Sequence, residues 1–499
     1  MTWSPPSPVP EAPTTFPEPR ADPTGDSLRT SGSIQGNIIA GFNKDFQSLL
    51  FLQVQDRAGG LDWLAELRPR VATTAQVATF NRQFSEMLRT SGSDPQHLAG
   101  VWVNVSFTAE GLELLAPRLR ASLQVEGIDN GVQLFTSGAR AQAEQLGDIG
   151  RSSPDHWVFG RDGQHIHLVV TVAADRSEDL AVEVHRQREL AARHNLLMVF
   201  EQPGATLPGP HKGQEHFGFK DGISQPGVRG YDPESQDHPG EVEGKPGTDL
   251  IAAGEFLLGY PRHNGRKRNI PEWLFDGSFL VVRRLAQDVP AWWAQVEHAY
   301  LQLPQAVREE LSADAFAARF VGRWRSGTPV DKAPLTDLRG GRRRSEDNDF
   351  DFETDPSGDR CPRFAHIRKV NPRSTSPVGV EGSNLRRIQR RGIPFGPAFD
   401  PTAGRGHGID SERGLVFACY QSSLSDQFQF LQQSCVNNTN FPDSDDGPDP
   451  VIGVDGSVTL HLGGDTTPVP SLQRCIQTQG SVYALTPSME TLQTIIDAE

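Results

Sequence analysis

Apolar positions along this chain fall into short unbroken runs and longer periodic ones, and the two kinds alternate. Leu49 to Val54 is a nearly continuous apolar run of strand length, which predicts a buried strand. Leu61 to Leu67 and Ala75 to Leu88 instead repeat apolar residues at helical spacing. Val101 to Phe107 reads as a second strand and leads into the helical Ala109 to Leu115. His165 to Val172, HIHLVVTV, alternates into an apolar run and predicts a third strand. Ser177 is placed to N-cap a helix ending near His194, with Asp179 in its first turn, and Leu196 to Phe200 predicts a strand returning beside it. Two strand-helix-strand passes in succession predict an α+β fold, a split antiparallel sheet with helices packed on it.

A second set of elements repeats the pattern without repeating the letters. Strands are predicted at Gly254 to Tyr260, Ser278 to Val282, Gly414 to Gln421 and Ser481 to Leu485, and helices at Pro290 to Leu303 and Ser425 to Cys435. Two similar halves follow. Two long stretches break the rhythm. In Gly327 to Asp359, GGRRR meets SEDNDFDFETD, which reads either as a solvated, self-paired charge loop or as a gate over a pocket. Gly396 to Arg413 has little periodicity at all. Residues 1–32 are rich in Pro, Ser, Thr and Asp and predict a mobile arm or a strap on the surface.

At 499 residues the chain exceeds one ordinary core and suggests two to four folding units, with two as the working number: residues 33–215 and 216–499. Hydrophobic residues at 36%, with 49 Gly and 38 Pro, describe a soluble protein with a large share of loop. No run approaches the roughly 18 apolar residues of a membrane helix. The opening MTWSPPSPVPEAPTT has no basic region followed by an apolar one, so no standard export signal is expected and the cytoplasm is the expected compartment, unless the chain travels as another protein's passenger. A net charge of −15 repels nucleic acid and anionic membranes alike and suits a cationic or neutral small substrate. Self-association into a homo-oligomer stays open. Cys361, Cys419, Cys435 and Cys475 are widely spaced, form no Cys-x-x-Cys, and read as buried thiols in a reducing compartment. No His, Cys and Asp cluster has the spacing of a zinc site.

Three stretches carry candidate chemistry. In RCPRFAHIRK, residues 360–369, His366 sits in a short apolar window flanked by cations, so an imidazole is carried toward an interior where it can ligate a metal or a haem iron; a buried histidine with a satisfied hydrogen bond would look the same. In HFGFKDGISQPG, residues 216–227, Gly218 and Gly222 flank Asp221 and leave its carboxylate projecting from a narrow turn beside Phe217 and Phe219. Such a carboxyl could shuttle a proton, although Asp-Gly is also a common turn signal. NLRRIQRRGIPFG, residues 384–396, brings four arginines around Ile388, suited to an oxygen gaining negative charge or to an ordinary surface helix.

In that order, the three stretches resemble the dye-decolourising peroxidases, a family of b-type haem enzymes. The similarity runs from IQGNI near residue 34 through GFKDGISQP, GRWRSGTP at 322–329, NDFDF at 348–352, CPRFAHIRKVNPR, RRGIPFG and GLVFACYQ to SVYALTPS near residue 488. It covers almost the whole chain after the first residues, and the long inserts are like those of the larger members.

The resemblance implies two ferredoxin-like halves, of the dimeric α+β barrel type, with one haem b (iron protoporphyrin IX) in the C-terminal half. It implies His366 as proximal iron ligand, Asp221 as distal acid-base residue and Arg390, two residues before Gly392, as distal arginine. Leu415 and Phe417 match apolar residues shaping the distal pocket. The implied activity is a peroxidase using hydrogen peroxide to oxidise dyes, phenolic and other aromatic compounds through a ferryl intermediate, with an acidic optimum because the carboxyl of Asp221 must supply a proton. A haem-binding carrier or sensor would keep His366 and have no use for Asp221 and Arg390 together. A proximal histidine usually donates its second ring proton to a carboxylate. Asp449 is the first candidate for that partner and Asp426 the second. Arg363, Arg368 and Arg373 are candidates to pair with haem propionates, and Trp292, Trp293 and Tyr420 are nameable as electron carriers, although most aromatics are core.

Overall fold

A computed structural model describes residues 16–92, 98–338, 347–400, 412–444 and 446–497. Thirteen strands run through the described residues: β1 Phe46–Val54, β2 Val101–Phe107, β3 Leu168–Ala174, β4 Leu196–Ala205, β5 Gly227–Val228, β6 Leu250–Ile251, β7 Ser278–Gln287, β8 Gln389–Arg390, β9 Ile393–Phe395, β10 Gly414–Gln421, β11 Gly456–Leu462, β12 Asp465–Leu472 and β13 Ile476–Thr486. Nine of them form one sheet in the order β4-β1-β3-β2-β13-β7-β10-β8, with β9 also on β10.

That order is one motif used twice. Within the first half the strands lie fourth-first-third-second. Counting β7, β8, β10 and β13 as first to fourth gives the same order in the second half, so each half is a ferredoxin-like sheet. The halves meet where β2 pairs β13, at Phe107 and Leu485. Gln35 staples this seam: its Nε2 donates to Val105 O (3.0 Å) and Pro487 O (2.9 Å), and its Oε1 accepts from Val105 N (3.0 Å). The IQGNI motif therefore serves the joint between the halves.

At the far edges the sheet curls back on itself. A Cβ at Gly204 of β4 would lie 2.5 Å from Ile393 Cγ2 of β9, so only glycine permits this approach. Alternate residues of the strands then face two different cores. Leu49 and Phe51 of β1 share one cluster with Leu280, Val282, Val416 and Ala418, while Leu50 and Leu52 pack with Trp63, Leu64 and Leu112 of the covering helices. A strand covered on both faces needs apolar residues on both, which explains the unbroken run at β1.

Several elements depart from their sequence-based prediction. Gly254 to Tyr260 is a buried loop containing a short 3₁₀ turn, Ala253–Glu255, and no strand. Its amides bond locally, Leu257 N to Ala253 O, and Gly259 at φ +90 leaves the extended region. The helix after β10 is wound as two π-helical segments, Leu424–Gln429 and Leu431–Val436, a widened form often found at functional sites. Ser177 is the first helical residue, not the cap, and β3 starts at Leu168, after the two histidines. Residues 16–31 lie as a strap, with Leu28 buried and Arg20 paired to Asp276 at 2.9 Å; residues 1–15 fall outside the described ones. All four cysteines are buried and free. Among the described residues no helix is long and apolar enough to cross a membrane.

Candidate active site

His366 opens a one-turn helix, His366–Val370, packed against the π-helical segment. Its Nδ1 lies 2.7 Å from Asp449 Oδ2, and Asp449 is buried. The other oxygen of Asp449 accepts from Val451 N (2.8 Å) and Ile452 N (3.2 Å), so the carboxylate is held by its own following turn. A carboxylate only accepts, so Nδ1 carries the proton and Nε2 is the nitrogen left for the cavity that His366 lines. Burial disfavours the charged ring, but the Asp449 carboxylate outweighs this and holds His366 above its ordinary value. Asp426, the second candidate partner, is engaged elsewhere, 3.0 Å from Arg268 and 3.1 Å from Arg262.

Asp221 and Arg390 line the same cavity of about 250 Å³ and pair at 3.1 Å, Arg390 Nη1 to Asp221 Oδ1. Gly222 N also donates to that oxygen at 2.6 Å. The turn bearing Asp221 is tied down on several sides. Gln225 bonds Arg390 through its backbone, Nε2 to Arg390 O at 2.6 Å, which sets the two residues in register. His216 Nε2 bonds Phe395 O of β9 at 2.9 Å. Asn348 accepts from Ser224 Oγ (3.0 Å) and Arg323 Nη2 (2.7 Å) and donates to Ile223 O (3.1 Å).

Strand geometry sorts the arginines. Residues 389–390 pair with β10, so successive side chains point to opposite faces and no surface helix forms. Arg390 reaches Asp221; Arg391 turns away and donates to Asn37 O (2.8 Å), Ile38 O (3.0 Å) and Ile39 O (3.0 Å), where withdrawal from water pushes it down to about 10. Arg387 pairs with Asp249 at 2.8 Å. Of the three arginines expected near propionates only Arg373 lines the cavity, bonded to Asn348 O at 2.9 Å and lying over Phe350. Arg363, in the turn before the one-turn helix, pairs with Asp443 at 2.9 Å, and Arg368, inside that helix, is buried against Asp355 at 3.2 Å.

Leu415 and Phe417, alternate residues of β10, both line the cavity, with Ile388, Phe428, Leu431, Val451 and Ile452 completing an apolar wall. A larger, mostly polar cavity of about 1160 Å³ shares Asp221, Arg390 and Leu415 with it. The described part of the insert contributes wall: Phe350 lines the cavity while Asn348 and Phe352 are buried. Its residues 339–346, like 401–411 of the second long loop, lie outside the described ones. Trp292 is buried on Phe217 and Tyr420 is buried in the core between the halves, while Trp293 is partly exposed.

The donor set fits a haem. One imidazole with a carboxylate-bound Nδ1 faces an apolar cavity, and Arg386, which also lines it, has a buried Nε with no hydrogen-bond partner among the described residues, a donor that a propionate could take up. A second imidazole group, which sequence spacing did not signal, converges at the surface: Glu110, His165 and His167. There Val54 N donates to His167 Nδ1 at 3.0 Å, which fixes the proton on Nε2 and argues against ligation by that ring.

Comparison with known proteins agrees. Residues 33–199 match the model of the DyP dimeric alpha+beta barrel domain, and residues 331–445 that of the Dyp-type peroxidase C-terminal region. The dye-decolorizing peroxidase msp1 of Mycetinis scorodonius is 31% identical over 494 residues, covering 93% of this chain and 87% of that protein. An ancestral D-type dye decolorizing peroxidase superposes with a TM-score of 0.77 at 32% identity, over 94% of this chain and 99% of that one. A structure of the Auricularia auricula-judae dye-decolorizing peroxidase gives 0.74 at 27% identity, over 94% and 100%. The chain belongs to the dye-decolourising peroxidase family, whose members depend on haem, and is a peroxidase of that type.

Proposed function

We propose that this protein is a haem b peroxidase that reduces hydrogen peroxide and oxidises dyes, phenolic and other aromatic compounds. The observation that carries the proposal is a single cavity lined by His366, whose ring is held from behind by the buried Asp449, and by the hydrogen-bonded pair of Asp221 and Arg390. His366 would hold the iron through Nε2, with Asp449 fixing the ring and enriching the ligand. Arg386 and Arg373 at the cavity edge would meet the propionates. Bound there, haem supplies the metal that takes electrons from the reductant and passes them to peroxide.

The protein's part is proton management. Asp221 accepts a proton from one peroxide oxygen and delivers it to the other, which leaves as water. Arg390 holds the peroxide and stabilises the charge that builds on the leaving oxygen as the O–O bond breaks. Its pairing with Asp221 keeps the carboxylate aimed and ready to accept. Leu415 and Phe417 keep the reacting oxygens out of bulk water. The test is a haem-loaded sample given hydrogen peroxide and a dye: peroxide-dependent bleaching is expected, and haem uptake without any turnover would replace the proposal with a carrier or sensor.

A further inference from the structure

Asp221 is 42% exposed, and among the described residues its carboxylate bonds Gly222 N and Arg390. Packing does not aim it. Its position therefore depends on the Arg390 pair and on the backbone turn that bears it, and inside that turn lies the Glu215 carboxylate.

Residues 213–221 double back on themselves: Gln214 bridges Lys220, Glu215 N donates to Phe219 O (3.0 Å), and Asp221 N donates to Gly213 O (2.9 Å). Inside this hairpin the Glu215 carboxylate accepts from Phe217 N at 2.8 Å and from Phe219 N at 2.9 Å, one on each oxygen. A third donor comes from outside: Gln287 Nε2 reaches Glu215 Oε2 at 2.7 Å. Gln287 ends β7, which is paired on one side with β10 and on the other with β13. A continuous line of bonds thus runs from the middle of the sheet through Gln287 and Glu215 to the turn of Asp221. Gly218, at φ +94, lets the chain fold tightly enough for one carboxylate to reach both amides.

We propose that Glu215 is a positioning residue for Asp221: by gathering three N–H donors it locks the turn to β7 and fixes where the Asp221 carboxylate meets peroxide. This rests on the peroxidase reading above. Glutamine is nearly isosteric with glutamate, but its amide would turn an N–H group toward one of these donors. The lock is lost with little change in volume. Displacing a reacting group by about 1 Å costs on the order of a hundredfold in rate.

The test is a cycle on haem-loaded protein above pH 7, where Glu215 is ionised, reading the bimolecular rate with hydrogen peroxide by stopped flow. Glu215→Gln is expected to keep the Soret band and the KM for a dye, and to slow the peroxide step by about tenfold to a hundredfold. In an Asp221→Asn background the same change is expected to cost nothing further, because there is no proton-transfer group left to aim. Equal losses in both backgrounds, or no loss in either, would overturn the proposal. If Glu215→Gln takes up no haem, Gln287→Leu, which removes one donor, replaces it in the same cycle, with a smaller loss expected and the same outcomes decisive. A wild-type protein inert to peroxide would instead refute the peroxidase reading itself.

Discussion

Asp449 meets His366 Nδ1 at 2.7 Å with one oxygen while the other is held by the amides of Val451 and Ile452. The imidazole is thus oriented by a carboxylate that is itself anchored to backbone, and the ring cannot rotate without breaking the arrangement. Asp449→Asn keeps the shape but can present an N–H where the ring proton points. Haem affinity is expected to fall roughly tenfold to a hundredfold, measured by titrating apoprotein with haem. Unchanged affinity and an unchanged Soret band would mean that Asp449 is only a turn residue.

Adjacent arginines should separate cleanly. Arg390→Ala removes the partner of Asp221 and is expected to slow the peroxide step by about 10²-fold or more, with little effect on unfolding. Arg391→Ala leaves three backbone carbonyls without their donor and is expected to destabilise by roughly 3 kcal/mol in denaturant titration. The opposite pattern, a stable Arg391→Ala with a lost peroxide step, would reverse the strand alternation argued for residues 390 and 391.

Burial raises Glu215 to about 7 from an ordinary 4.5; Asp221 nearby adds to this, while the amides of Phe217 and Phe219 and the Gln287 side chain oppose it. The folded protein therefore keeps this proton at pH values where the unfolded chain has released it. Stability from this group is complete below about 4.5 and is lost as pH rises through about 7. The Tm of wild type minus that of Glu215→Gln is expected to fall between those pH values. A flat difference would show that the carboxyl ionises as readily in the fold as in the unfolded chain, and a rising one that it ionises more readily; either would contradict the burial argument.

Haem should stabilise the fold as well as supply chemistry, since the apolar cavity is otherwise open to water. Ligand at a thousand times its dissociation constant adds about 4 kcal/mol. Haem is expected to raise the Tm of wild type clearly and that of His366→Ala much less. Equal shifts for both would place the haem elsewhere.

Much of the fold was legible because β1 and β10 carry their signal locally, in runs of apolar residues that a strand covered on both faces needs. The loop at 254–260 is as apolar as those strands, since it is buried, and its glycines and local hydrogen bonds left no mark on periodicity. Asp221, His366 and Arg390 stood out as an ordered set through the family resemblance, which also brought forward Leu415 and Phe417, and all five line the cavity. Glu215, Gln225 and Asn348 did not stand out. Gln225 and Asn348 act through hydrogen bonds across more than a hundred residues of chain, and Glu215 through the amides of its own turn and through Gln287, which no local pattern of apolar residues records. NDFDF was visible as a motif, but only the fold shows Asn348 reaching Ser224 and Ile223.

The central claim is that Asp221 moves the proton that lets peroxide react in the cavity of His366. Its most direct test is the optical spectrum of haem-loaded wild type and Asp221→Asn after one equivalent of hydrogen peroxide, followed by stopped flow. Wild type is expected to show a rapid change of the Soret band, and Asp221→Asn the same resting spectrum with a change slower by about 10²-fold or more. Equal rates in the two proteins would contradict the account and move the proton transfer away from Asp221.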